Sequence, residues 1–451
     1  LWDGETAHDI VVRTPTFFTS INYLLRDGEL VHVDIPEDAE IHDILQGQLL
    51  VELKSDWEAG GKRHRQGSLL SIELESFLSG ARDFQTVFEP GERTALSGVG
   101  TTRNFLLVVT LDMVKNRVLR YALQDGVWVE QPLELPTEGA LAIGASSDRH
   151  DDFFYLYEDF VTPDSLYLAR EGGTDIRLVR QLPAFFDTGG VTVEQRQARS
   201  ADGTLIPYFL VLPKGFEADG STPTLLYGYG GFEVSYEPVY SAISGHSWVA
   251  RGGAYVLSNI RGGGEFGPKW HQAALKANRQ KAYDDFIAIA EDLVATRVTS
   301  PEHLGIRGGS NGGLLVGNVF VQRPDLFDAV VCQVPLLDMK RYNKLLAGAS
   351  WMDEYGDPDT DDWAFLQNYS PYHQVSEAAE YPRVFFTTST RDDRVHPAHA
   401  RKMVAKMTDQ GHDVLYYENI EGGHAGAANL RQRAYVEALI YSYLWSQLGE
   451  P

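Results

Sequence analysis

A serine hydroxyl that could act as a nucleophile lies in the segment GGSNGG at residues 308–313, which contains the pattern G-x-S-x-G around Ser310. The segment lies between a predicted strand at 304–308 and a predicted helix at 313–321, the context that a nucleophile elbow requires. Its glycines permit a turn too tight for a Cβ atom and present the hydroxyl at the sheet edge beside a helix N-terminus. The pattern alone is modest evidence, because a glycine-rich turn in a non-catalytic α/β domain would look the same.

A pair of carboxylates follows the serine in chain order. Asp392 and Asp393 come directly after the apolar strand predicted at 384–389. An α/β-hydrolase places its acid after the nucleophile, at the end of a strand of this kind. The alternative is that the two aspartates merely cap the next helix, which is the more frequent use of such a pair.

An imidazole completes the set, because His424 stands in the segment EGGHAG between the strand predicted at 414–418 and the last predicted helix. The flanking glycines would let this loop bring the ring close to a serine. Weaker candidates, which lack this order and loop context, are His396, His399 and His412. The order Ser310, Asp392, His424 is that of α/β-hydrolases and differs from the orders in chymotrypsin and subtilisin.

Two more glycine-rich segments follow predicted strands. The segment YGYGGF at 227–232 lies upstream of the nucleophile, where this fold places a loop that supplies an oxyanion donor. The segment RGGGEFG at 261–267 lacks both the Gly-Lys-Ser/Thr of a phosphate-binding loop and the spacing of a dinucleotide fold. We interpret it as a structural turn packed near the site.

These motifs all fall where predicted strands alternate with helices, a pattern typical of a mostly parallel sheet covered on both faces. The strands are predicted at 206–212, 224–229, 254–260, 304–308, 329–334, 384–389 and 414–418. Apolar residues at helical spacing predict helices over 280–297 and 430–448.

The first 185 residues instead show short strands and turns with no sustained helical period. Their strands are predicted at 16–21, 30–35, 49–53, 69–74, 105–111 and 118–123. Asp27-Gly28 and Asp125-Gly126 have the chemistry of two-residue hairpin turns. The pattern fits a sandwich, a barrel or propeller blades. We therefore predict an all-β part over 1–185 followed by an α/β part over 186–451.

The composition fits a folded protein that has neither a nucleic-acid nor a membrane partner. Of 451 residues, 43% are hydrophobic and 23% charged, which are ordinary globular values. The net charge of −24 argues against a nucleic-acid groove or an anionic membrane surface, and no apolar run approaches the roughly 18 residues that span a bilayer. Cys332 is the single cysteine, which excludes an internal disulfide and a cysteine-based zinc site.

The start of the chain bears on its cellular location. The sequence begins at Leu1 without a methionine or a signal peptide and enters strand-like sequence at once. We expect the natural N-terminus to lie further upstream, so a targeting signal is not assessable. A single cysteine fits a cytoplasmic protein, and a periplasmic protein would look the same.

Taken together, the motifs closely resemble the prolyl oligopeptidase (prolyl endopeptidase) family. The matching segments are LYGYGGF at 226–232, NIRGGG at 259–264, GGSNGG at 308–313, DDRV at 392–395 and GH at 423–424. The resemblance covers residues 190–451 and, less sharply, the β-rich part, where 152–170 looks like the closing strands of a seven-bladed propeller. It implies an α/β-hydrolase preceded by the second half of a β-propeller, in an N-terminally incomplete, bacterial-type member, because family members are much longer.

The resemblance also implies roles for individual residues. Ser310 would be the nucleophile, His424 the general base and Asp392, as the first of its pair, the partner of that base. The further residues placed around the substrate are Tyr229 (hydroxyl) and Asn311 (backbone N–H) in the oxyanion hole, Arg394 on a substrate carbonyl, and Trp351, Phe232 and Tyr355 around the substrate proline. An indole face suits proline because it offers apolar area without requiring a hydrogen bond, although Trp351 alone would indicate only a core tryptophan.

The implied function is a serine endopeptidase, acting as a monomer without cofactor or metal, that hydrolyses short peptides on the carboxyl side of proline through an acyl-enzyme. One alternative is a related oligopeptidase of different side-chain specificity, against which Trp351 and Arg394 argue. A small-ester hydrolase would lack the long β-rich part. A non-enzymatic binding module would usually have lost one of the three catalytic residues. His396 stands where animal members carry an apolar residue, which indicates the bacterial type.

Overall fold

A computed structural model describes residues 1–4 and 6–449 of the chain, and the chain divides into two compact units. Unit 1 comprises Leu1–Ala184 with two short segments, Glu237–Tyr240 and Glu265–Lys269. Unit 2 comprises the rest of the described chain.

Unit 1 is built mainly of antiparallel strands, and its described residues up to Ala184 contain one short α-helix, α1 (Leu74–Leu78), and one 3₁₀ helix, Glu171–Gly173. Its strands are β1 (Trp2–Asp3), β2 (Thr6–Ala7), β3 (Asp9–Thr16), β4 (Thr19–Arg26), β5 (Glu29–His32), β6 (Glu40–Leu45), β7 (Gln48–Glu52), β8 (Trp57–Ala59), β9 (Lys62–His64), β10 (Leu69–Glu73), β11 (Gln85–Phe88), β12 (Thr94–Thr101), β13 (Phe105–Asp112), β14 (Lys115–Gln124), β15 (Val127–Gln131), β16 (Ala140–Ile143), β17 (Phe153–Glu158), β18 (Ser165–Arg170) and β19 (Asp175–Gln181).

The larger sheets of unit 1 are four-stranded, in the orders β11-β10-β7-β6, β12-β13-β14-β15 and β16-β17-β18-β19. The pairings within them are antiparallel, which is the form of a propeller blade, and β3, β4 and β5 make a further three-stranded sheet. The propeller-like character expected of this part is therefore confirmed.

Two hairpin turns of unit 1 test the sequence predictions: one turn was predicted correctly, and the other lies where a strand was predicted. Asp125 and Gly126 both have positive φ, at 50° and 81°, as a type I′ turn between β14 and β15 requires. The strand predicted at 16–21 is wrong, because Phe17 and Phe18 form the turn between β3 and β4, where Thr16 pairs with Thr19. Two aromatic residues favour a strand by propensity, but here their rings pack edge to face at a centroid distance of 4.9 Å.

Unit 2 is organised around one eight-stranded sheet in the order β20-β21-β23-β22-β24-β25-β26-β27. Its strands are β20 (Thr192–Arg199), β21 (Leu205–Leu212), β22 (Thr224–Tyr227), β23 (Ala254–Ser258), β24 (Leu304–Gly309), β25 (Ala329–Gln333), β26 (Arg383–Ser389) and β27 (Val414–Asn419). Pairings from β23 to β27 are parallel, whereas β20 and β21 join antiparallel at one edge. The mostly parallel sheet predicted for this part is confirmed.

Helices cover both faces of this sheet. The remaining α-helices of the described chain are α2 (Ala242–Ser247), α3 (Pro268–Gln272), α4 (Gln280–Ala295), α5 (Asn311–Gln322), α6 (Met352–Tyr355), α7 (Trp363–Leu366), α8 (Pro371–Gln374), α9 (Ala398–Asp409) and α10 (Leu430–Leu448). Because successive strand residues face opposite sides, Leu226 and Phe386 pack in the core with α4, α5 and α9, whereas Leu225 and Phe385 pack against α10. The α/β-hydrolase layering is thereby confirmed.

Among the described helices, none is both long and apolar enough to cross a bilayer.

The sheet topology brings the candidate motifs to one edge. Strands β22, β24, β26 and β27 are parallel, so their carboxyl ends open toward the same side of the sheet. Each of the four chemistry-bearing segments follows one of these ends. Ligand sites of open α/β sheets occur at this edge.

Candidate active site

Ser310 occupies a strained turn between β24 and α5. Its backbone angles are φ 60° and ψ −116°, in a region that residues with a side chain rarely adopt. The close approach of the flanking chain requires glycine, since a Cβ on Gly308 would lie 2.2 Å from the carbonyl oxygen of Gly312. The Ser310 N–H donates to the carbonyl oxygen of Gln333 at 2.9 Å, which ties the turn to the next strand. The half-buried hydroxyl therefore stands on a rigid elbow of the kind that presents a nucleophile.

The carboxylate of Asp392 contacts the imidazole of His424. Nδ1 of His424 lies 3.0 Å from Oδ1 and 2.8 Å from Oδ2 of Asp392. Oδ1 also accepts the backbone N–H groups of Arg394 and Val395, each at 2.9 Å, so the turn after β26 fixes the carboxylate. Asp392 is buried, whereas its neighbour Asp393 is exposed. This arrangement can hold one tautomer of His424 and stabilise its charged form.

No hydrogen bond between Ser310 Oγ and His424 occurs among the described residues, so the step from serine to histidine belongs to the mechanism proposed below.

The three histidines that were weaker candidates in the sequence make contacts with the backbone, and among the described residues none of them hydrogen-bonds to Asp392. Nδ1 of His396 accepts the N–H of Ala398 at 3.0 Å, and Nε2 of His412 lies 3.0 Å from a backbone carbonyl oxygen. Nδ1 of the buried His399 accepts two successive backbone N–H groups, those of Leu337 and Asp338. Each of these rings thus has a structural contact.

Two groups expected in the oxyanion hole lie just after the ends of the neighbouring strands β22 and β24. Asn311 is the first residue of α5, so its backbone N–H is one of the helix amides that find no acceptor within the helix. Tyr229 follows β22, and burial, with the nearby Glu354 carboxylate as a second cause, raises the pKa of its phenol to about 12. The hydroxyl of Tyr229 therefore keeps its proton throughout the neutral range and can donate to a developing negative charge.

The three aromatic residues expected around a substrate proline lie next to one another in the structure. The rings of Phe232 and Trp351 lie 6.5 Å apart at 76°, and those of Phe232 and Tyr355 lie 5.7 Å apart at 85°. Phe232 and Trp351 are partly buried, whereas Tyr355 is almost fully buried and donates its hydroxyl to Oδ1 of Asn311 at 2.6 Å. The sequence prediction contained no hint of that last contact.

Arg394, expected to hold a substrate carbonyl, is exposed on the turn after Asp392. Its backbone carbonyl accepts the N–H of Ala347 at 3.3 Å, in the segment that leads to Trp351. The turn that carries the acid is therefore connected to the segment that carries the tryptophan.

The segment at 261–267 opens with the buried Arg261, which forms ion pairs with the buried Asp285 and the exposed Asp202. The Arg261 guanidinium bonds to Asp285, at 2.6 Å from Nη2 and 2.9 Å from Nε, and to Asp202. A Cβ on Gly262 would lie 2.4 Å from the carbonyl oxygen of Gly230, so this turn packs directly on the loop that carries Tyr229.

Two buried charged residues near the site escaped sequence reasoning altogether. The side chains of Arg279 and Glu354 are fully buried and form an ion pair at 2.8 Å. They lie 75 positions apart in the chain and outside the motifs, so spacing gives no signal for them. Its position three residues after Trp351, a residue predicted to line the pocket, is the signal in the sequence that could have drawn attention to Glu354.

One group in unit 1 has the residue types of a metal site. Ligand atoms of Glu40, His42 and Glu52 lie within 4.8 Å of one another. The Lys54 ammonium lies 2.8 Å from Glu52 and 3.6 Å from Glu40, so a cation already offsets part of the negative charge of the cluster.

Comparison with known proteins finds two matching family models. The one described as "Prolyl oligopeptidase family" matches residues 240–451. The one described as "Prolyl oligopeptidase, N-terminal beta-propeller domain" matches residues 65–177.

Individual relatives match most of the chain. An uncharacterized peptidase of Sinorhizobium fredii is 45% identical, over 99% of this chain and 62% of the relative. A prolyl endopeptidase of Elizabethkingia meningoseptica is 34% identical, over 70% of this chain and 46% of the relative. The solved structure of a post-proline cleaving enzyme from Rickettsia typhi is 34% identical with a TM-score of 0.93, over 99% of this chain and 66% of that one. The chain thus spans less than two thirds of the length of each of these proteins.

Proposed function

The chain belongs to the prolyl oligopeptidase family, and on this premise we propose that it is a serine endopeptidase that hydrolyses short peptides on the carboxyl side of proline. The observation that carries the proposal is the double contact of the Asp392 carboxylate with Nδ1 of His424, on the sheet edge where Ser310 stands on its elbow. A carboxylate, an imidazole and a hydroxyl in this chain order and on this edge suit acyl transfer.

In the proposed acylation step, Ser310 Oγ attacks the carbonyl carbon of the proline residue while Nε2 of His424 takes the hydroxyl proton. Asp392 holds the proton on Nδ1 and stabilises the imidazolium that forms. The carbonyl oxygen gains negative charge, which the Tyr229 hydroxyl and the Asn311 N–H stabilise. The C–N bond then breaks, and His424 returns its proton to the leaving amine. Water repeats the sequence on the acyl-enzyme and releases the proline-ending product.

Specificity for proline would come from the aromatic residues beside this site. The half-buried ring of Trp351 lies near Phe232 and offers a flat apolar face to a pyrrolidine ring. The exposed Arg394 could hold a carbonyl of the preceding substrate residue. The names of two relatives, a prolyl endopeptidase and a post-proline cleaving enzyme, support this specificity. We propose that the enzyme acts as a monomer.

Hydrolysis of matched chromogenic peptides tests the proposal. The purified chain is incubated with peptides that end in proline, alanine or arginine before the chromophore, and kcat/KM is compared. We expect strong preference for the proline peptide, and labelling of Ser310 by a fluorophosphonate, seen by mass spectrometry and lost in Ser310→Ala. Preference for arginine would contradict the specificity, and a chain that neither cleaves nor takes the label would contradict the enzymatic function.

A further inference from the structure

A connected set of buried polar side chains lies directly behind the site, and the proposed mechanism assigns no role to the polar atoms of these side chains. We call it the Glu354 cluster, and its members are His271, Arg279, Asn311, Glu354 and Tyr355. Their exposed fractions range from 0% for Arg279 and Glu354 to 3% for His271. Groups this deeply buried keep a charge only if partners compensate it, so the contacts must be specific.

The carboxylate of Glu354 is the centre of the cluster. Oε1 lies 2.8 Å from Nη1 of Arg279 and accepts the backbone N–H of Phe232 at 3.1 Å. Oε2 lies 2.7 Å from Nε2 of His271. One buried carboxylate thus connects a cation to the backbone of the loop that carries the oxyanion tyrosine and the pocket phenylalanine.

The side-chain amide of Asn311 is fixed on both sides. Its Oδ1 accepts from Nη2 of Arg279 at 2.5 Å and from the Tyr355 hydroxyl at 2.6 Å, while its Nδ2 donates to the backbone carbonyl of Tyr229 at 2.7 Å. Two donors on one side and a carbonyl on the other allow only one orientation of this amide. Because Asn311 follows Ser310 directly, the same contacts set the direction of the backbone N–H beside the nucleophile.

The loop held by Glu354 needs such restraint. Phe232 and Glu233 have φ angles of 56° and 57°, in the left-handed region that residues with a side chain rarely adopt. The Glu354 carboxylate bonds the N–H of Phe232 within this turn. Phe232 lies in this strained turn and Tyr229 three residues before it, so the position of the turn affects both the oxyanion hole and the pocket.

We propose that Arg279 and Glu354 are positioning residues, which hold the two oxyanion donors, Tyr229 and Asn311, in one fixed geometry. The guanidinium can do this because its fork reaches Glu354 and Asn311 at once, with Nη1 and Nη2. The role rests on the proposed peptidase function, since it concerns transition-state stabilisation at the same site.

Two variants that retain most of the packing test the role. Arg279→Lys keeps the buried charge but gives up the fork, so one of its two acceptors loses its donor. Tyr355→Phe keeps the ring against Phe232 and removes only the hydroxyl that bonds Asn311. For Arg279→Lys we expect kcat to fall about 10- to 100-fold, the range that follows when reacting groups are slightly misplaced. Tyr355→Phe should show a smaller loss in the same direction, because Arg279 still bonds Asn311.

The readout must separate positioning from a general structural effect. We measure kcat and KM for a proline peptide, and the affinities for a proline aldehyde, whose adduct carries an oxyanion, and for the proline-ending product acid. Loss of donor geometry should weaken aldehyde binding in parallel with kcat, whereas KM and product binding should stay within about threefold, because only the transition state needs both donors.

Tyr208→Phe serves as the matched control. The hydroxyl of the buried Tyr208 donates to the partly buried Asp292, so the variant also removes a hydrogen bond to a polar side chain. We expect it to lower the melting temperature without changing kcat or aldehyde affinity. Circular dichroism checks that every variant is folded. If Arg279→Lys does not fold, Glu354→Gln takes its place, since it removes the charge that pairs with Arg279 and keeps a side chain of nearly the same size.

The possible results separate the two proposals. An active wild type with unchanged kcat and aldehyde affinity in the folded variants would overturn the positioning role and leave the peptidase function standing. A wild type that neither cleaves proline peptides nor binds the aldehyde would overturn the peptidase function itself. Equal losses of aldehyde and product affinity would assign the Glu354 cluster to the pocket rather than to the oxyanion hole, which also contradicts the positioning role.

Discussion

Both carboxylate oxygens of Asp392 lie within hydrogen-bond distance of Nδ1 of His424, at 3.0 and 2.8 Å. The same carboxylate accepts two backbone N–H groups from the turn that follows β26, whereas the adjacent Asp393 is exposed. The backbone therefore orients the acid, and the acid orients the imidazole. These contacts distinguish Asp392, which can act on His424, from the adjacent Asp393.

The first prediction concerns this pair of aspartates. In Asp392→Asn the amide oxygen can still accept from the backbone, but the NH₂ group then faces Nδ1 and favours the wrong tautomer of His424. We expect kcat to fall by about 10⁴-fold, as in other serine proteases in which this acid becomes an amide. Asp393→Asn is the matched control and should cost far less. A larger loss in Asp393→Asn would reverse the assignment of the acid.

The sequence patterns predicted the strands and helices at the sheet edge well, but they did not predict the buried side chains packed behind that edge. The strand before Ser310 ends within one residue of its predicted position, and the helix predicted at 430–448 has these bounds, because apolar periodicity and glycine placement are local signals. Arg279 and Glu354 could not be found in this way, since their contact joins chain positions far apart. The Phe17–Phe18 turn was missed because strand propensity and turn formation conflict there.

The second prediction tests the oxyanion hole. Tyr229→Phe removes a donor whose phenol pKa of about 12 keeps it protonated at neutral pH. The hydroxyl should act on charge that develops only in the transition state, so kcat should fall, by about 2–4 kcal/mol of barrier, while KM changes little. Steady-state kinetics with two different leaving groups measure the effect. A variant in which only KM rises would place Tyr229 in substrate binding.

The third prediction concerns stability at acid pH. Burial lowers the pKa of His399 to about 4 from its ordinary 6.5, and its neutral ring accepts the N–H groups of Leu337 and Asp338. The folded pKa is depressed, so the stabilisation is complete above pH 6.5 and is lost as the pH falls through 4. The change in unfolding free energy should reach about 3 kcal/mol, given about 1.4 kcal/mol per pKa unit.

Urea unfolding at pH 7, 5.5 and 4 measures this change. His399→Gln should be less stable at pH 7 and should lose most of the pH dependence between 6.5 and 4. The partly buried His412 provides the control, since His412→Gln should follow the wild-type pH profile. The same steep dependence in His399→Gln would show that other groups cause it.

The fourth prediction uses the single cysteine. Cys332 is fully buried on β25, and burial raises the pKa of its thiol, so the reactive thiolate is suppressed. Iodoacetamide should leave the native protein unlabelled and should modify Cys332 only in urea, as detected by mass spectrometry. Activity should also survive the reagent. Rapid labelling of the native protein at neutral pH would mean that the centre of the sheet opens readily.

The last prediction concerns specificity and compares Trp351→Ala with Arg394→Ala. Loss of the indole removes the flat apolar wall beside Phe232, and aromatic contact beyond area burial is worth about 0.5–1.5 kcal/mol, to which the lost burial adds. We expect kcat/KM to fall for a proline peptide and much less for its alanine analogue, because a small side chain gains little from the indole. Arg394→Ala should weaken both peptides alike, since the guanidinium would bind a carbonyl that both contain. The proline-to-alanine ratio of kcat/KM therefore decides, and an unchanged ratio in Trp351→Ala would make Trp351 a packing residue with no part in the choice of substrate.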